Sequence, residues 1–156
     1  MTKANDSGQA SLEIAFALSF FMVLVMATVD FGNLYSTKLT LQNAVRQAGR
    51  YAITGQCINS GGACTQSRYN SIVSTLQDTS VGLLTTTNTS YVTISCTNEG
   101  GGCPNNAGGP GDVVTISVSY PYTFITPLIG AFFPRSSYTI SVSASFTNEP
   151  FPPSQS

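Results

Sequence analysis

The stretch DSGQASLEIAFALSFFMVLVMATVDFG, residues 6–32, decides the fold. It holds an uncharged run, residues 14–29, bounded by Glu13 and Asp30. About 20 apolar residues in a helix cover the hydrocarbon thickness of a bilayer. Residues 10–29 meet that length without a proline, so the run reads as a helix that spans or nearly spans a membrane. Glu13 is the anomaly. A charge near the centre of such a helix costs roughly 2.5–3.5 kcal/mol on insertion scales, less towards the ends. Its plainest role is that of a helix-start residue at headgroup level, favoured there by the helix dipole. Asp30 reads most simply as an interfacial residue where the membrane ends, with a specific assembly contact as the alternative. Gly32 either softens the helix there or permits close packing.

Beyond Phe31 the pattern turns amphipathic. Leu34, Leu41 and Ala48 repeat at seven, Val45 and Ala52 fall on the same side, and Lys38, Gln42, Arg46 and Arg50 form another face. That is a helical period, and nothing breaks it before Gly55. One helix over about 10–54 would be on the order of 65 Å long at 1.5 Å per residue. Arg46 and Arg50 repel mildly at i,i+4. They are either two solvated cations or partners for acids elsewhere.

Period-2 alternation follows in YVTISC (91–96), VVTISVSY (113–120) and YTISVSASF (138–146), which predicts strands with one buried face. So few strands need a cover for that face, and the apolar stripe on residues 34–52 supplies one. QSRYNSIVSTLQ (66–77) predicts a short helix through Tyr69, Ile72, Val73 and Leu76. The Gly/Asn-rich segment 97–112 is expected as a surface loop. The apolar segment 121–137 is expected as a loop that either lids the core or forms an exposed contact patch. NEPFPPSQS at the end should be extended and mobile.

The four cysteines fall into two equal modules, CINSGGAC (57–64) and CTNEGGGC (96–103). Four cysteines allow three pairings, and the matched spacing favours Cys57 with Cys64 and Cys96 with Cys103. Each bond closes a loop worth about 2.5 kcal/mol on the chain-entropy estimate, in an oxidising compartment. A zinc site would call for closely spaced cysteines or histidines, and the chain has no histidine. A calcium reading of Glu99, Asn105, Asn106 and Asp112 matches no known cage. No metal and no cofactor are expected.

Taken together, GQASLE followed by a long apolar helix resembles a type IV prepilin signal. The longer pattern GQASLEIAFAL…VDFGNLYSTKLTLQNAVRQAGRYA resembles the TadE-like minor pseudopilins of tight-adherence (Tad/Flp) pili. Gly8, Glu13, Asp30, Phe31, Gly32, Leu41, Gln42, Asn43, Ala44, Arg46 and Arg50 carry it. The resemblance implies cleavage between Gly8 and Gln9 by a prepilin peptidase. It also implies a role in pilus assembly, with the inner membrane, other pilin and pseudopilin subunits and the Tad machinery as partners. The implied location is the inner membrane with the C-terminal domain extracytoplasmic, or the extracellular pilus. After that cut Glu13 is the fifth residue, just over one helical turn from a new amine. The amine of one subunit and the carboxylate of another can then neutralise each other and fix axial register.

The fold class expected is α+β and pilin-like: a long N-terminal helix, with a membrane half and an amphipathic half, packed on a small antiparallel β-sheet. Its divisions are a leader (1–8), an assembly helix (9–30), its amphipathic continuation (31–54), a globular domain (55–149) and a tail (150–156). A net charge of −1 and 8% charged residues leave no basic field for nucleic acid. The chain has no phosphate-binding glycine motif, nucleophile elbow or paired-carboxylate signature, which argues against an enzyme. Two alternatives stay open: a membrane-anchored envelope adhesin, and a Sec-exported binding module whose signal peptide is residues 1–27.

Overall fold

The structure is a computed structural model that describes residues 6–57, 59–60, 63–64, 67–98, 101–104 and 107–150. One helix, α1 (Asp6–Ile53), takes up 48 residues, about 72 Å at 1.5 Å per residue. The hairpin β1 (Asn59–Ser60) and β2 (Ala63–Cys64), then α2 (Arg68–Thr79), follow it. Next come β3 (Val92–Asn98), β4 (Gly101–Pro104), β5 (Val113–Thr123), the short α3 (Pro127–Gly130) and β6 (Ser137–Thr147). The main sheet has the order β4-β3-β5-β6.

The chain divides into two compact units. The described residues up to Tyr35 with Thr123–Tyr138 form one, and the remainder forms the other.

In the second unit, the stripe foreseen on α1 is the core. Leu41, Ala44, Val45, Ala48 and Ala52 are buried, as are Ile94, Val114, Ile116, Ile140 and Val142 from the alternating strands. The period-2 and period-3.6 patterns thus bury against each other, and the α+β, pilin-like architecture holds. The helix approaches the sheet closely at Gly49, where a Cβ would stand 2.2 Å from the Phe146 ring. Antiparallel register pairs Ile94 with Ile116 and Cys96 with Val114 across β3 and β5. Helix α2 covers the core with Ile72, Val73 and Leu76, and Ser67 caps it by accepting a hydrogen bond from the Asn70 N–H.

Helix α1 ends where glycine first permits a left-handed turn. Gly55 has φ of 67° and its N–H bonds the Ala52 carbonyl, a common way to satisfy the last carbonyls. Two other terminal carbonyls find partners as well. Tyr51 accepts from the Thr54 hydroxyl, and Ile53 accepts from the Glu149 N–H.

Three expectations need correction. Residues 97–112 are not wholly a surface loop. Thr97 and Asn98 extend β3, and Gly101–Pro104 is a strand that pairs with it, Asn98 opposite Gly101 and Ser95 opposite Pro104. A glycine-rich strand carries no side-chain alternation, so its pattern could not announce it. Further on, Ala107 is buried, and Gly108 has φ of 69° with its would-be Cβ crowded by Asp112 and Cys96. Residues 121–137 are likewise more ordered than a loop, because β5 runs to Thr123 and α3 follows. The tail's first residue is anchored: Asn148 is buried and its side-chain amide donates to the carbonyls of Ala107 and Gly109. Residues 151–156 lie outside the described residues.

Cys57 and Cys96 are both in disulfides, and no free cysteine occurs among the described residues. Cys96 stands opposite Cys103 in the β3–β4 register. The side chains of Cys64 and Cys103, and with them the pairing, lie outside the described residues.

Candidate functional site

The first candidate lies on the opening turns of α1. Gly8, Gln9, Leu12, Glu13 and Phe16 line one shallow depression on the helix surface. Their spacing explains this, because residues three, four and seven or eight apart share a helix face. All five are exposed. A Cβ on Gly8 would meet no described atom within 4 Å, and the same is true of Gly32. Neither glycine answers a packing need among the described residues, although each costs roughly 1 kcal/mol of helix propensity relative to alanine. The rest of the apolar half is also open: Phe16 is 72% exposed and Phe20 68%. This helix is long and apolar enough to cross a membrane.

The second candidate is Asp30. Expected where the apolar run ends, Asp30 is a buried carboxylate, with 0% of its surface exposed. Its Oδ1 accepts the Ile125 N–H at 2.9 Å, and its Oδ2 accepts the Thr126 N–H at 3.1 Å and the Thr126 hydroxyl. The 123–138 segment is thereby tied to α1. A buried carboxylate needs such donors, because burying it without them is costly. Sequence reasoning missed Thr126. The only local hint was Thr before Pro127, a helix-start pattern.

Of the remaining motif residues, Phe31 is exposed in the first unit and the others sit in the second. Leu41 and Ala44 are core, Gln42 is half-buried, and Asn43, Arg46 and Arg50 are exposed. Gln42 and Arg46 line a shallow groove with Lys38 and the β6 residues Ser141 and Ser143.

Arg68, at the start of α2, is a further buried charge that sequence reasoning missed. It is 6% exposed. One guanidinium nitrogen donates to the Ala52 carbonyl at 2.8 Å and another to the Gly108 carbonyl. Burial pushes its pKa below the usual arginine value, while Asp112 acts in the opposite direction. Arg68 opens α2, the end where the helix dipole disfavours a cation. An arginine placed there, in a chain with few charges, was the available signal. Asp112, once considered for calcium, uses Oδ2 to accept the Gly109 N–H at 2.7 Å. Glu99, Asn105 and Asn106 lie outside the described residues.

The face at Gly8 to Phe16, the buried Asp30 and the core stripe ending near Arg50 fall within one continuous stretch of α1. Residues 8–50 match the family model of the TadE-like proteins. This TadE-like segment contains every motif residue on which the resemblance was drawn, and it stops before the sheet. No curated protein and no solved structure matches the chain. The TadE-like match therefore describes the helix, and the domain that follows rests on its own geometry.

Proposed function

We propose that this protein is a minor pseudopilin of a Tad/Flp-type pilus. It is an inner-membrane subunit whose C-terminal domain is extracytoplasmic and which enters or primes the filament through α1. A prepilin peptidase cuts it between Gly8 and Gln9. The observation that carries this reading is the exposed face of Gly8, Gln9 and Glu13 at the start of a TadE-like apolar helix. A glycine without a packing role at the scissile position suits a narrow peptidase pocket. Gly32, equally unexplained within the chain, suits close approach of a neighbouring helix, as small residues do in membranes. On this reading the leader is 1–8, the assembly helix 9–30, its continuation 31–54, the globular domain 55–149 and the tail 150–156. The disulfides are Cys57 with Cys64 and Cys96 with Cys103. The role is structural, not enzymatic.

Intact-mass analysis of the native membrane protein tests this directly. A chain that begins at Gln9 supports the proposal, and Gly8→Arg should block the cut. A start near Thr28 would instead mean Sec export and loss of Glu13. Residues 1–8 retained while pili form normally would favour an uncut anchor. A non-reducing digest of the same sample reads the cysteine pairs, and crossed bridges would refute the local pairing.

A further inference from the structure

The 123–138 segment belongs to the same compact unit as the apolar half of α1, and it exposes what a soluble loop would hide. Ile125 is 62% exposed, Leu128 50% and Phe132 79%. Its position along α1 is fixed. The Ile125 and Thr126 amides sit on the Asp30 carboxylate, and Asp30 is the residue at which the uncharged run 14–29 ends. The segment therefore starts at the level where the apolar helix would leave a bilayer.

Three further features fit lipid. Arg135 is the only charged residue in 113–148, and a cation suits an anionic headgroup layer. The backbone is largely self-satisfied: the Phe124 N–H goes to Ser136, those of Ile125 and Thr126 to Asp30, and those of 130–133 to carbonyls within the segment. Pro127 has no N–H to satisfy. Backbone facing lipid must meet its hydrogen bonds internally. Exposed aromatic residues also gather in this unit, with Phe31, Tyr35 and Tyr138 alongside Phe132, as in the aromatic belts of membrane interfaces.

We infer that residues 124–133 form a membrane-surface element that beds Ile125, Leu128 and Phe132 in the headgroup–acyl boundary of the leaflet from which α1 emerges. Asp30 serves as the clamp that sets its depth. The inference rests on reading the apolar half of α1 as a membrane span. It adds a second, lateral contact with the same bilayer, of the kind made by interfacial helices that sink about 5–10 Å into that boundary. Such a contact limits how the helix can tilt and rotate before it is extracted into a filament.

The chain has no tryptophan, so single reporters are clean. Full-length Phe132→Trp, Phe20→Trp and Val81→Trp proteins are reconstituted in phosphatidylcholine–phosphatidylglycerol vesicles, with and without phosphatidylcholine brominated near the top of its acyl chains. Phe132→Trp should lose fluorescence to the brominated lipid about as strongly as Phe20→Trp, and should be shielded from aqueous iodide. Val81→Trp, on a residue 84% exposed in the other unit, should respond to iodide alone. If Phe20→Trp is quenched by brominated lipid and Phe132→Trp is not, the inference fails while the anchor stands. If Phe132→Trp is shielded from both quenchers only at high protein-to-lipid ratio, a second copy covers the patch and the lipid assignment is overturned. If Phe20→Trp is not quenched, the membrane span and the inference fall together.

Discussion

Arg68→Met is expected to lower the stability of the disulfide-bonded domain by about 2–3 kcal/mol, an order-of-magnitude figure built from its contacts. The guanidinium joins the last turn of α1, through Ala52, to the left-handed turn at Gly108. Hydrogen bonds from a charged donor contribute roughly 1.5–3 kcal/mol each when the acceptor is left buried. Two terms oppose the loss. A methionine need not desolvate a charge, and removing a cation from the start of α2 recovers about 0.3–1 kcal/mol of dipole repulsion. The carbonyls win because Met offers them no donor. For a domain of this size the melting temperature should fall by on the order of 10 °C. Thermal unfolding of the full chain in detergent, monitored by circular dichroism under oxidising conditions, measures it. Arg46→Met, at an exposed position, serves as the control and should change little. Equal melting of Arg68→Met and the parent protein would remove Arg68 from the structural account.

Glu13→Ala is expected to leave folding and membrane insertion intact while cutting incorporation into pili tenfold or more. The two effects separate because they have opposite signs. In a single chain Glu13 is a cost, since an acid in an apolar helix opposes insertion by up to about 3 kcal/mol, so alanine inserts at least as well. In the proposed bundle the carboxylate meets the amine of a neighbouring Gln9. Close charge pairs at interfaces show couplings of about 1.5 kcal/mol and above, and 1.4 kcal/mol is a factor of ten. Gly8, Gln9 and Glu13 share one exposed face of α1. Glu13→Gln keeps the shape and removes the charge, so it should resemble Glu13→Ala. Quantitative immunoblotting of sheared filaments against membrane fractions gives the ratio. Normal incorporation of both variants would leave Glu13 as a headgroup-level residue and nothing more.

The two predictions draw on different kinds of information. Glu13 stands out in the sequence, because its anomaly is local: one acid beside 16 uncharged residues, 14–29, needs no partner to be noticed. The same locality made α1 legible, since period 3.6 between Leu34 and Ala52 and the stop at Gly55 are written in neighbouring residues. It also revealed β3, β5 and β6, whose alternation directs Ile94, Ile116 and Ile140 inward. The TadE-like pattern over 8–50 is of this kind too. Other features depended on distance along the chain. Asp30 is legible locally as the end of the uncharged run, but its donors lie 95 and 96 residues away. Nothing beside Arg68 in the sequence names its acceptors, the carbonyls of Ala52 and Gly108, 16 and 40 residues off. Gly49 showed no local reason to lack a side chain, and the Phe146 ring supplied one. The glycine-rich β4 had no pattern to read, and only its pairing with β3 made it a strand. Periodicity reports which face of an element is buried, because burial repeats with the backbone geometry. A buried polar group must instead be satisfied by whichever donor or acceptor the fold brings near it, and only the tertiary structure decides that.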